Sequence, residues 1–292
     1  MSWVNSIIQG IMLGGFYALL ACGLSLMFGV MRIINLAHGD LAVLGAYVSW
    51  FIADRYHINP FLGLIIVLPV MYGVGWLLQR GMLERSVRAG TLIPLLTTFG
   101  LGIVIENLLL QVFSPDVQSL GGPAGAVVTK SWQISSQITI SALGMLILAV
   151  AIAVLGGLQL FLSRTPPGRS MRAVAQDPDT AELVGVNSRA VYARAAGIAI
   201  ATAGLAGVFL AIRATVDPAS GPTQLIFAFE AVAIGGFGSL WGTLVGGLVL
   251  GIAQTIGARI NPQYANLAGH LVFLAVIAFR SEGILSGRKG RS

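Results

Sequence analysis

Apolar residues in this chain come in long unbroken runs separated by short polar stretches, with no strand-like alternation. The runs fall near 5–30, 36–53, 61–79, 92–113, 139–162, 195–212, 225–257 and 266–280. Runs of this kind predict helices that cross a bilayer, because a helix satisfies its own backbone where no water is available. An outer-membrane barrel would need alternating strands instead. The run at 225–257 is too long for one crossing: its 33 residues would reach about 50 Å as a single helix, against a hydrocarbon core of ~30 Å. Within it, AIGGFGSLWGTLVGG offers a place to fold back at Gly235, Gly236 and Gly238, as two short crossings or a re-entrant hairpin. The pattern predicts an all-α, polytopic helical membrane protein of about eight to ten transmembrane helices with a broken or re-entrant segment.

Composition agrees. The chain has 292 residues, 56% hydrophobic and 10% charged, where soluble domains carry about 25% charged residues. A net charge of +6 would suggest nucleic acid in a soluble protein, but here the cations sit between the apolar runs, so no nucleic-acid partner is expected. Twelve of the 17 cations lie in three stretches. They are Arg80, Arg85 and Arg88; Arg164, Arg169, Arg172, Arg189 and Arg194; and Arg280, Arg288, Lys289 and Arg291. The remaining stretches hold Arg55, Lys130, Arg213 and Arg259 singly, and Arg32 is left over. The positive-inside rule places the three basic stretches, and the C-terminus, in the cytoplasm. The side of the N-terminus stays open. MSWVNSIIQG lacks the basic start of a cleaved signal, so the first run is expected to remain in the mature protein. Cys22 is the only cysteine, which excludes an intrachain disulfide and thiolate metal sites. Residues 1–292 read as one transmembrane domain with a cytoplasmic loop at 163–194. The polar stretch 114–137 is expected to lie outside, packed on the helix ends.

Polar groups inside this apolar frame are the candidate chemistry, since they are costly in a membrane and mark function or a local break. NLAHGD places Asn35, His38, Gly39 and Asp40 between two apolar runs. One reading makes them part of a translocation path or gate at a broken helix. The other makes Asn35 an N-cap, with His38 and Asp40 in the first turn near the cytoplasmic interface. Glu106 and Glu230 are the other embedded acids, each expected to serve the translocation path or gate or a polar contact within the bundle, Glu230 with the option of an outer-interface position, and His270 is expected to be a satisfied bundle histidine. Gly235, Gly236, Gly238, Gly242 and Gly246 form a small-residue stripe for hairpin formation or close helix packing, within the chain or against a second subunit, or for lining a pore.

The loop GRSMRAVAQDPDTAELVGVNSRAV is punctuated clearly. Asp177 suits an N-cap, Pro178 the first helical position, Asp179 and Glu182 the positive helix end, and Gly185 a left-handed stop. Asn187 or Ser188 can cap the next helix. A short helix over 178–184 is predicted, preceded by another bearing Arg169 and Arg172. Such a shape fits either a docking element or a solvated connector.

The loop, NLAHGD, GGFGSLWGTLVGG and the closing FRSEGILSGR occur in the order found in permeases of bacterial ABC importers of the branched-chain amino acid (LivH) family, which this chain resembles over nearly its whole length. LERSVRAG departs from the family pattern after Glu84-Arg85, and Glu230 stands where a small or apolar residue is common. The resemblance implies a permease in the bacterial inner (cytoplasmic) membrane that translocates a small polar solute, branched-chain or related amino acids first. It further implies short cytoplasmic coupling helices, with Arg169, Arg172, Asp177, Asp179, Glu182, Gly185 and Asn187 contacting a cytoplasmic ATPase. The implied partners are a second homologous permease, two ABC ATPase subunits, a periplasmic or extracellular solute-binding protein and membrane lipid. ATP and Mg would sit on the partners, with no cofactor on this chain.

No Gly-Lys pair occurs, so the chain has no Walker A motif, and no HExxH, GxSxG or paired-carboxylate constellation is present. A transporter subunit rather than an enzyme is expected. On physical grounds alone, a passive channel or an ion-coupled transporter is the alternative.

Overall fold

The structure, a computed structural model, describes residues 3–90, 92–135, 138–280 and 283–285. The tail cations Arg288, Lys289 and Arg291 and the Arg88 side chain lie outside the described residues. Helix α1 (Trp3–Met31) is followed by a non-helical stretch, then α2 (His38–Tyr56) and α3 (Pro60–Leu78). A five-residue π turn (Gln79–Leu83) leads into α4 (Glu84–Ala89) and α5 (Ile93–Phe113). The outer polar stretch is ordered as α6 (Gly121–Ala124), α7 (Ala126–Thr129) and an antiparallel hairpin of β1 (Ser131–Ser135) and β2 (Ile138–Ser141). Then come α8 (Ala142–Arg164), α9 (Pro166–Gln176), α10 (Pro178–Leu183) and α11 (Ser188–Arg213). After a 3-10 turn (Pro218–Ser220), the chain closes with α12 (Gly221–Gly235), α13 (Leu240–Ile260) and α14 (Tyr264–Phe279).

Six stretches are long and apolar enough to cross a membrane: α1, α3 with its extension to Val87, α5, α8, α11 and α13. Three further helices of the bundle fall short for visible reasons. Helix α2 carries His38, Asp40, Asp54 and Arg55, while α12 and α14 have only 15 and 16 residues. The long run at 225–257 resolves into α12 and α13, with the reversal at Gly236–Ser239, where Gly236 (φ 105°) and Gly238 (φ 78°) adopt backbone that side chains disfavour.

The cytoplasmic loop is shorter than the 163–194 read from sequence. Helix α8 continues through Arg164 and α11 starts at Ser188, leaving 165–187. The reason is capping. The Thr165 hydroxyl accepts from the Gly168 amide (3.1 Å) and Asn187 Oδ1 from the Ala190 amide (3.0 Å), so helix begins at once on either side.

The described parts of the three basic stretches gather at one end. Arg189 pairs with Glu84 (3.2 Å), joining the start of α11 to α4. The amides of Ile284 and Leu285 donate to the carbonyls of Ile234 and Gly235 (2.8 and 3.1 Å), laying the chain's last described residues on the α12–α13 reversal. At the other end, Arg259 lies 4.1 Å over the Trp3 ring. Helix α1 therefore starts at the end opposite the loop 165–187. Its central companion is α11. The most apolar windows of α1 and α11 are 83% and 89% buried, against 22–28% for α3, α5 and α8, which form the rim.

Candidate functional site

The stretch after α1 does not stay at the cytoplasmic interface. It climbs back along α1: Asn35 Nδ2 reaches Met27 Sδ (3.7 Å), and His38 Nε2 donates to the Leu20 carbonyl (2.8 Å). Leu20 is 11 residues before Met31, about 16 Å of helix, so α2 starts deep in the bundle. Irregular backbone at this depth must find partners inside the protein. It does: the Leu36 amide donates to Thr98 Oγ1 (3.1 Å) and the Ala37 amide to Asn35 Oδ1 (3.0 Å). Asn35 thus closes a turn before the helix. The N-cap position itself is Ala37, without a side-chain cap, which corrects the reading of Asn35 as an interfacial N-cap.

Helix α12 also starts inside the bundle, and its beginning meets that of α2. A side chain on Gly39 would overlap the Gly221 carbonyl and the Leu225 amide. The Asp40 carboxylate lies in this junction, 5% exposed, with Oδ2 toward Gly102 of α5 and Oδ1 against Gly221 of α12. Two helix N-termini therefore face one carboxyl group, whose buried Oδ1 has no hydrogen-bond partner among the described residues. Glu106, one turn beyond Gly102, is near enough to repel it. Asn35, His38, Gly39, Asp40 and Glu106 thus gather around one seam between α1, α2, α5 and α12.

Glu230 does not join them. It is 4% exposed and pairs through Oε1 with His270 Nδ1 (2.5 Å), which places α14 against α12. Beside it, the Tyr17 hydroxyl donates to Gln254 Oε1 (2.5 Å), and Phe227 stands between the pairs, 5.1 Å from the Tyr17 ring and stacked on His270 at 6.3 Å. Sequence reading missed this second polar group, because Tyr17 and Gln254 are 237 positions apart and neither interrupts an apolar run.

The glycine stripe packs within the chain. Gly235 and Gly242 lie face to face, and Gly246 lies against Ala231 of α12. The next row, Gly247 and Gly251, meets Gly10, Gly14 and Ala18 of α1. Small residues let these backbones touch, which is how helices gain contact where the lipid offers no hydrophobic drive.

In the cytoplasmic loop, Arg169 Nη1 and Arg172 Nη2 donate to the carbonyls of Arg164 and Ser163 (3.3 and 3.2 Å). Both arginines therefore satisfy carbonyls left open at the end of α8. Asp177 Oδ1 accepts from the amides of Asp179 and Thr180, and Oδ2 from the Thr180 hydroxyl. These bonds hold its carboxyl below the usual range. At the far end of α10, Gly185 (φ 87°) donates to the Glu182 carbonyl and Val186 to that of Ala181, a complete Schellman closure. The closure leaves Leu183 and Val184 87% and 76% exposed at the loop's tip. Sequence reading, attentive to charge, had passed over both.

The family described as "Branched-chain amino acid transport system / permease component" matches residues 6–279. The chain is 31% identical over 298 residues to the high-affinity branched-chain amino acid transport system permease protein BraD of Pseudomonas aeruginosa, covering 97% of this chain and 95% of that protein. It is 30% identical to LivH of Escherichia coli K12, a permease of the same description, with the same coverage. A more distant relative is the fructose import permease FrcC of Rhizobium meliloti, 28% identical over 83% of this chain and 69% of that protein. With its bundle of apolar helices, its basic end and the family's match along nearly its entire length, the chain belongs to the permease components of branched-chain amino acid transport systems.

Proposed function

We propose that this chain is the membrane path for inward transport of branched-chain or closely related amino acids, with residues 1–292 acting as one permease domain. A second homologous permease completes the path, an external binding protein delivers the solute, and two cytoplasmic ATPases dock on the α9–α10 loop. ATP and Mg are held by those ATPases. One observation carries the coupling half of the reading: two apolar side chains, Leu183 and Val184, project into water from a loop that caps, proline and a Schellman closure hold in shape. Exposed apolar groups on a rigid stub favour burial against a partner. Arg169, Arg172, Asp177, Asp179, Glu182, Gly185 and Asn187 set the shape and charge of that stub. In the membrane, the seam around Asp40 has the discontinuous helices on which transport sites and gates are built. The solute class is supported by the names of the amino acid relatives, while the fructose permease among the relatives points to the binding protein as the selector.

The test uses the transporter purified with the subunits that accompany it and reconstituted in liposomes with its binding protein. Leucine uptake should require ATP inside. Leu183→Asp with Val184→Asp should separate ATP hydrolysis from uptake while insertion and thermal stability stay unchanged. Uptake without ATP, or full coupling in the double variant, would overturn the docking role.

A further inference from the structure

At the cytoplasmic end, a cavity of about 520 Å3 opens between the end of α1, helix α9 and the Gly236–Ser239 reversal. Arg32, Arg172 and Gln176 line its polar side, and Phe28 and Phe237, with ring centroids 4.7 Å apart, form its apolar wall. A second cavity of about 210 Å3 shares Gly29, Arg172 and Gly238 with the first and continues toward the membrane between Leu26, Leu162 and Met171.

Three features point to a ligand. First, two guanidinium groups share one cavity, and among the described residues neither has a carboxylate partner and no acid lines either space. Like charges so placed repel, and an anion relieves them. Second, Arg172 is anchored by one nitrogen on the Ser163 carbonyl, which leaves its other donors for the cavity. Third, Arg32 has φ 53°, the left-handed position that ends a helix and that glycine occupies without strain. An arginine there carries a backbone cost, and its exposed side chain lines the cavity.

We propose that this cavity is a binding site for a phosphate-bearing anion, with Arg32 and Arg172 holding the phosphate and the aromatic wall and apolar recess receiving what is attached to it. The site lies at the basic end of the bundle, between the end of α1 and α9, and basic pockets between membrane helices hold phospholipid headgroups.

The transporter is purified in mild detergent with its accompanying subunits, and retained phospholipid is counted by native mass spectrometry with added phosphatidylglycerol or phosphatidylcholine. Wild type should retain phosphatidylglycerol in preference to phosphatidylcholine. Each of Arg32→Gly and Arg172→Gln should weaken retention about fivefold. Arg32→Gly suits the backbone at that position, so its thermal unfolding without lipid should be unchanged or higher, which separates lost binding from lost folding. Displacement of phosphatidylglycerol by millimolar inorganic phosphate assigns the site to the phosphate alone. Retention against phosphate assigns it to the whole lipid. Equal retention by wild type and both variants overturns the proposal. So does lipid-independent loss of ATPase subunits from Arg32→Gly, which would assign the arginine to an acidic protein surface.

Discussion

Two stretches of this chain break its apolar pattern with a Gly and an Asp close together, and they solve the same problem in opposite ways. In residues 165–187 the amides at the helix starts are met by a neighbour within a few positions: Thr165 for Gly168, Asp177 for Asp179 and Thr180, Asn187 for Ala190. In residues 32–40 the Asn35 turn is local, but the other partners come from distant helices, Leu20 for His38 and Thr98 for Leu36, and the Asp40 carboxyl packs on Gly102 and Gly221 with its Oδ1 left without a hydrogen-bond partner. Water makes the difference. A loop in water needs only local caps to fix its shape. A break in the membrane must draw its partners from the whole bundle.

The largest expected effect is at the distant-partner end. Gly39→Val puts a branched side chain into the Gly221 carbonyl and the start of α12, with backbone on both sides and no flexible side chain to yield. A loss of more than about 4 kcal/mol is expected, seen as failure to recover monodisperse protein in detergent. A well-folded Gly39→Val protein would mean that α2 and α12 do not meet as described. The matching change in the loop is Gly185→Ala. Nothing lies near that position, so its only cost is the left-handed backbone (φ 87°), about 1 kcal/mol and confined to α10.

Asp40 gives the next effect. Asp40→Leu removes the negative group that two helix N-termini face and presses branched carbons on Gly102 and Gly221, at about 2 kcal/mol or more. Asp40→Asn keeps the shape and an oxygen toward the dipoles, so most of the stability should remain. Thermal unfolding of the two variants side by side measures the charge against the packing. If Asn proves as damaging as Leu, the carboxylate's charge and not its fit holds the seam together. Uptake by the Asn variant then tells whether the charge also serves transport.

How much was legible follows the same division. The break at Gly236–Ser239, the caps at Asp177 and Asn187 and the stop at Gly185 were readable because each depends on a residue and its neighbours up to four positions away. That the described parts of the basic stretches lie at one end was readable from charge alone. The meeting of α2 and α12 was not, since Gly39 and Gly221 are ordinary small residues until the fold brings them together. Glu230 and His270 were each visible, but their pairing across 40 positions was not. Leu183 and Val184 were hidden for another reason: in a chain this apolar, two more aliphatic residues carry no signal until their exposure is known.

The smallest expected effect tests the loop by pH. Hydrogen bonds from Thr180 hold the Asp177 carboxyl below its ordinary value, so the folded loop favours the ionised form. A depressed folded pKa adds stability to α10 above the ordinary carboxylate pKa, and that stability is lost as pH falls through the depressed value. Amide exchange at Asp179 and Thr180, corrected for the intrinsic pH dependence, should therefore lose protection only in strong acid, while α9 keeps its own. Asp177→Asn retains a capping oxygen but cannot titrate, so its exchange should show no such step. If wild type and Asn variant respond to acid alike, the cap is not what holds α10, and the loop depends on its neighbours as the membrane seam does.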